Sequence, residues 1–209
     1  MERARTAEQA RFDDADRDLL ARCRRGEKAA FREVYQLHRA SVFGVVARML
    51  SNDADREEVV QDVFLQIFKS LPAFKGDSKL STWIHRVAVN VTLQHIRRKG
   101  RRIRLQLREQ APEIDPDIER GPVSNPEGDA MLGERRDAVR RALDALAPKK
   151  RIALVLADFE GRSSSEIAEI VGAPALTVRT RLFYARREFY RRLSREPSFE
   201  EIELEREER

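Results

Sequence analysis

The sequence predicts an all-α protein of two small helical domains joined by a flexible acidic linker, and three observations carry that prediction. Apolar residues recur at steps of three and four along several long stretches, with no alternating strand pattern to compete. A proline-containing acidic segment divides the chain past its middle. Charged residues make up 37% of the 209, against about 25% in a typical soluble protein, which suits two thin helical units better than one thick core. The expected layout is a tail over residues 1–15, a first domain over 16–108, a linker over 109–130, a second domain over 131–195 and an acidic tail over 196–209.

The elements follow in order. A short helix is expected near Asp16–Arg24, then a long one from Lys28 to Leu50 carrying Ala30, Phe31, Val34, Val42, Val45 and Val46. Ser51-Asn52-Asp53 supplies a stop and a fresh cap. In Glu57–Leu71 the residues Val59, Val63, Phe64, Ile67, Phe68 and Leu71 share one helix face. A further helix, Ser81–Arg98, carries Trp83, Ile84, Val87, Ala88, Val91 and Ile96 and closes a bundle of about 100 residues. Trp83, at helical spacing with Val87, reads as core before it reads as a stacking platform.

Several classes are excluded. The apolar runs Val42–Ala47 and Ile152–Ala157 fall far short of the roughly 20 residues of a membrane span, so no membrane insertion is expected. Met1–Asp18 mixes Arg with Glu and Asp and lacks a secretory core, which makes the cytoplasm the expected location. Cys23 is the single cysteine and reads as inert helix filling; with only His38, His85 and His95 beside it, no spaced zinc cluster forms and no metal or cofactor is expected.

The chain has 41 Lys and Arg against 36 Asp and Glu, a formal net charge of +5. The order of these charges says more than their sum. From Arg86 to Arg108 there are eight basic residues and no acid, whereas Glu109 to Asp129 is acidic, with Pro112, Pro116, Pro122 and Pro126. A second basic run extends from Arg179 to Arg195, and Glu200 to Glu208 is acidic again. Two basic faces on a tether fit one polyanion gripped at two places, although charge alone leaves two solvated faces equally open.

The sharpest local signal lies between Ser163 and Leu182. Ser163 and Glu166 have capping-box spacing, Ala168 is small enough for a close helix crossing, Gly172 suits a turn with positive φ, and Val178 returns to the core. This is helix-turn-helix spacing, with the second helix starting near Pro174 or Ala175. That helix would present Thr177, Arg179, Thr180, Arg181 and Tyr184, groups able to reach phosphates and base edges. The plainer alternative is a helical hairpin with a basic exterior.

Three stretches of the first half, Asp55–Leu65, Phe74-Lys75-Gly76 and Ser81–Asn90 with Arg97-Arg98, resemble region 2 of the bacterial sigma-70 family, most closely its extracytoplasmic-function (ECF) subfamily. Leu143–Leu193 resembles region 4 of the same group. The resemblance implies a transcription initiation factor that binds core RNA polymerase, directs it to promoters and is not itself an enzyme. It implies that Glu58, Gln61 and Asp62 dock on the coiled coil of the largest polymerase subunit, and that region 4 meets the flap of the second-largest. Lys75, Lys79, Arg86, Asn90, Arg97 and Arg98 would hold the melted -10 element of promoter DNA, and Thr177, Arg179, Thr180, Arg181 and Tyr184 the -35 element. An anti-sigma factor is a further expected partner. Gln94, Ser164 and Leu176 depart from the family pattern, Leu176 standing where glycine is usual. A linker of this length could extend to roughly 70 Å, about two turns of B-DNA.

Two other readings stand beside this one. A free-standing helix-turn-helix regulator would bind its operator without polymerase and use the first domain to sense a ligand or dimerise. An enzyme acting on nucleic acid ranks third, since the sequence offers no metal-spaced carboxylates, nucleophile motif or phosphate-cradling glycine loop.

Overall fold

The computed structural model describes residues 16–109, 128–197 and 199, and every regular element among them is helical. Helix α1 covers 16–24, followed by α2 (Lys28–Met49), α3 (Asp53–Ser70) with a 3-10 turn (Leu71–Ala73), and α4 (Leu80–Glu109). The second half contains α5 (Gly128–Asp144), α6 (Pro148–Leu154) running on as a π-helical turn (Val155–Phe159), α7 (Ser164–Val171) and α8 (Ala175–Leu193). The described helices reach only the edges of the expected linker, α4 ending at Glu109 and α5 starting at Gly128. Helix α4 continues past Arg98 to Glu109, because one glycine, Gly100, costs a helix only about 1 kcal/mol and no proline lies between Leu80 and Pro112. Helix α5 starts at Gly128, as soon as Pro126 has been passed. The rest of the linker and the expectations placed on residues 1–15 and 200–209 lie outside the described residues.

Local chemistry sets the ends of these helices. The Asn52 side chain caps α3 by accepting the Asp55 N–H at 3.0 Å. Ser163 and Glu166 form the reciprocal capping box at the start of α7. Gly172, at φ 61°, ends α7 in the left-handed conformation, and Ala173 N–H then bonds back to the Ala168 carbonyl at 3.1 Å. The end of α2 draws its partners from elsewhere. Arg56 of α3 donates to the Leu50 and Ser51 carbonyls at 2.7 and 3.0 Å, and Arg151 of α6 donates to the Met49 carbonyl at 3.0 Å. Two buried guanidinium groups thus satisfy carbonyls that a helix end leaves without internal partners.

There are two cores. The first lies among α1 to α4 and contains Cys23, Val34, Val63, Ile67 and Ile84. Trp83 packs at its edge with its ring 5.1 Å from that of Phe74, in keeping with the core reading. The second gathers Leu154, Leu156, Ile167, Ile170, Val178 and Phe189 from α6 to α8, and it also takes in Val45 and Met49 of α2 and Val89 of α4. The two bundles are therefore packed against one another.

Because Ser163 satisfies the first turn of α7, Ser163→Ala should lower stability by about 1 kcal/mol, the usual cost of a lost N-cap. Thermal denaturation at neutral pH measures this; no change would mean that the cap is replaced by solvent at no cost.

Candidate nucleic-acid interface

At about 100° per residue, Arg86, Asn90 and Arg97 fall on one face of α4, while Arg98 is turned roughly a quarter of the circumference away. All four are exposed. Lys75 and Lys79 are also exposed, on the loop that leads from the 3-10 turn into α4. The sequence-expected -10 residues thus divide into a helical stripe, a basic loop before it and Arg98 beside it. The stripe borders the second bundle: Arg86 Nε donates to the Glu169 carbonyl of α7 at 3.0 Å. Val89 and Leu93, one turn apart on the adjoining side, pack into the second core.

Helix α8 buries Val178, Leu182, Ala185 and Phe189 on one side. Thr177, Thr180, Arg181 and Tyr184 share another face. Arg179 does not join them. It points to the far side, lining a shallow hollow of about 430 Å³ with Ser164, Phe183, Arg186 and Tyr190. Two members of the shared face have internal partners: Thr180 Oγ1 donates to the Leu176 carbonyl at 3.0 Å, and Lys150 Nζ lies 5.9 Å from the Tyr184 ring centre. Leu176 is 74% exposed at the start of the helix, where it contributes to the outer surface rather than the core. Phe183 and Tyr190 are exposed as well. Their seven-residue spacing, off the buried stripe, is the signal by which the sequence could have singled them out.

On α3 the apolar face is buried as the periodicity predicts, and Glu58 and Gln61 are exposed with Asp62 half-buried. Leu65 belongs to the same outward face by its spacing and is 55% exposed. The sequence reading passed over it because it sits in an apolar run. Its step of three and four from Gln61 and Asp62 was the available signal.

Between the bundles lies a polar cluster. Ser41 Oγ donates to Glu160 Oε2 at 2.8 Å and lies 2.8 Å from His85 Nε2, while His85 Nδ1 donates to the Ser81 carbonyl at 2.7 Å. Arg48 stands 3.6 Å from Glu160 Oε1 and stacks 4.7 Å from the Phe159 ring centre. Burial pushes the Glu160 carboxyl up, but hydrogen bonds from His85 and Ser41 and the charges of His85 and Arg48 outweigh it and leave the group below its ordinary value. His38 is lowered to about 4, chiefly by burial and further by the nearby charges of His85 and Arg162. Among the described residues no group of three or more His, Cys, Asp or Glu could hold a metal ion, and no helix is long and apolar enough to cross a membrane.

Residues 34–102 match the family model for Sigma-70 region 2, and residues 136–189 match that for Sigma-70 region 4. The chain is 30% identical to the RNA polymerase sigma-H factor of Pseudomonas aeruginosa, over 83% of its own length and 91% of the relative's. It is 33% identical to the ECF RNA polymerase sigma-E factor of Escherichia coli K12, over 82% and 90%. Among solved structures it resembles CnrH in complex with the cytosolic domain of CnrY, with a TM-score of 0.64, 23% identity and coverage of 86% of this chain and 97% of that one. It also resembles the sigma factor RpoE of Bartonella quintana in complex with the anti-sigma factor NepR, with a TM-score of 0.63, 21% identity and coverage of 79% and 97%.

The depressed His38 predicts a distinct acid sensitivity. The unfolded chain takes up this proton near pH 6.5, whereas the folded chain resists it until about 4, so stability is full above 6.5 and declines as pH falls through that window. The lowered carboxylates Glu160 and Glu166 lose their contribution only below about 4.5. Melting temperatures of the wild type should fall between pH 7 and 5, and His38→Gln should flatten that part of the profile. Identical slopes would exclude His38 as the source.

Proposed function

Because the chain belongs to the ECF subfamily of the sigma-70 family and is a transcription initiation factor that directs RNA polymerase to promoters, we propose that its helix faces divide the work as follows. The outward face of α3 docks on the coiled coil of the largest polymerase subunit. Glu58, Gln61 and Asp62 supply carboxylate and amide groups to an arginine-bearing partner helix, and Leu65 gives that contact an apolar centre. The observation that carries this reading is the alignment of an exposed leucine with exposed polar groups on one face of a helix whose other side is entirely core.

The α4 stripe of Arg86, Asn90 and Arg97, with Lys75, Lys79 and Arg98 around it, holds the melted -10 strand. Arginine and lysine track phosphates, and Asn90 offers an amide to a base edge. Helix α8 reads the -35 element through Thr177, Thr180 and Arg181. Arg179, on the other exposed side, contacts the phosphate backbone rather than the same bases, and Tyr184 packs beside Lys150 and approaches the duplex as part of that pair. Region 4 meets the flap of the second-largest subunit. A protein inhibitor of the kind named for the Bartonella relative is a further partner. The chain contributes recognition rather than chemistry, and it works in the cytoplasm, where polymerase and promoter are found.

Run-off transcription with core polymerase on a genomic fragment library tests the assignment. Asp62→Arg should weaken core binding at least ten-fold and abolish promoter-dependent transcripts. Arg181→Ala should keep core binding yet lose about five- to 150-fold at -35-dependent promoters, the range of about 1–3 kcal/mol for a lost base contact. Normal initiation by both variants would refute the assigned faces.

A further inference from the structure

We propose that Leu176, in the first turn of α8, is a specificity-determining residue that selects thymine at one position of the -35 element, by burying its side chain against the C5-methyl group of that base. The proposal rests on the assignment of α8 to that element made above.

Among the described residues Leu176 is the most exposed of the large apolar side chains. At about 100° per residue it lies about 140° round the helix from the centre of the buried stripe formed by Val178, Leu182, Ala185, Phe189 and Leu193. The core therefore has no use for it. A single exposed leucine is ordinary on a protein surface; what distinguishes this one is its position and its neighbours.

The position is the second residue of a helix that starts at Ala175. In a helix-turn-helix the amino-terminal residues of the second helix are the ones that reach base edges. Ala175 and Thr177 on either side of Leu176 are half-buried, and the preceding turn, Gly172-Ala173-Pro174, carries no long side chain to shield it. Leu176 is thus the group that projects from this end of α8.

The neighbours are apolar or cationic. Arg179 and Thr180, at steps of three and four, stand beside Leu176 one turn on, and both are exposed. Thr180 Oγ1 donates to the Leu176 carbonyl at 3.0 Å. Its proton is thereby committed to the backbone, and what it offers beside Leu176 is a methyl group and oxygen lone pairs. Phe183 follows at a step of seven and is 62% exposed. The one acid on α8, Glu188, pairs with Lys150. An apolar strip thus runs between Arg179 and Arg187 with no carboxylate left to oppose a polyanion.

The major groove of DNA complements such a strip. Phosphates line its edges, and thymine alone among the four bases places a methyl group in it. Leucine gains from covering that methyl. Against any other base it would cover hydrogen-bonding groups without satisfying them, which is unfavourable. One side chain therefore both favours thymine and disfavours its competitors, whereas glycine at the same place would leave the base pair in water and tolerate any of the four.

The test uses holoenzyme reconstituted from core polymerase and the full chain. One promoter recovered from the genomic fragment library is rebuilt with a randomised -35 element, each template marked by a barcode in its transcribed region. The wild type should prefer thymine at one position by at least four-fold. Leu176→Ala should lose that preference and keep the others, and Leu176→Met, which restores an apolar chain, should retain it. Replacing that thymine by deoxyuridine removes the methyl group alone. Run-off should then fall about four-fold for the wild type, the worth of one methyl group taken out of water, and stay unchanged for Leu176→Ala. Absence of a thymine-selective position in the wild type, or an equal deoxyuridine penalty in both proteins, would overturn the proposal. If Arg181→Ala still loses its own base preference in that case, the assignment of α8 to the -35 element stands; if neither variant alters any position, that assignment fails as well. Weakened core binding by Leu176→Ala with every base preference intact would place the strip against a protein and likewise overturn the proposal.

Discussion

The core of the second bundle is finished by residues of the first. Val45 and Met49 of α2 and Val89 of α4 are buried among side chains of α6 to α8, and burying such surface is the main favourable term in bringing the bundles together. Everything polar at the junction follows from it. Once Met49 is covered, its carbonyl at the end of α2 is cut off from water and needs a donor, which Arg151 provides from the other bundle. Glu160, drawn in beside α2 and α4, is stable as a carboxylate because Ser41, His85 and Arg48 surround it. A buried charge without such partners would be strongly unfavourable.

Ion pairs within the second bundle engage several of its basic residues. The second basic run reads in sequence as one DNA-facing surface, yet Arg186 is held bidentately by Asp158, with its closest contact at 2.5 Å, and Lys150 pairs with Glu188 at 2.5 Å. Arg141 is similarly engaged by Glu196 at 2.6 Å. These acids lie among the basic residues they neutralise. The net charge of +5 is therefore divided into outward groups, such as Arg97 and Arg98, and groups engaged in structure, such as Arg56, Arg151 and Arg186.

Much of the secondary structure was legible because its causes are local. The Asn52 cap, the Ser163–Glu166 box and the φ 61° turn at Gly172 each depend on residues within a few positions. The buried face of α3 was legible for the same reason, since a 3.6-residue period needs no knowledge of the partner helix. At the linker the described helices reach Glu109 on one side and Gly128 on the other, with Pro112, Pro116, Pro122 and Pro126 lying between them. In the site, grouping Arg179 with Thr177 and Arg181 treated adjacency in sequence as adjacency in space. On a helix, residues two apart face nearly opposite ways. Tyr184 looked like a free reader because Lys150, which approaches its ring, comes from another helix 34 positions earlier.

By itself the sequence determined the helices, their caps, the helix-turn-helix and the membership of the family. Those depend on short spacings and on motifs whose order is preserved in one dimension. Tertiary structure decided which faces are available. Arg86 and Glu169, Ser41 and Glu160, and Met49 and Arg151 are 83, 119 and 102 positions apart, and no period or local propensity couples residues at such distances. Their pairing is set by how two apolar surfaces close on each other, and polar groups trapped at the closing edge must then find partners among whatever lies opposite.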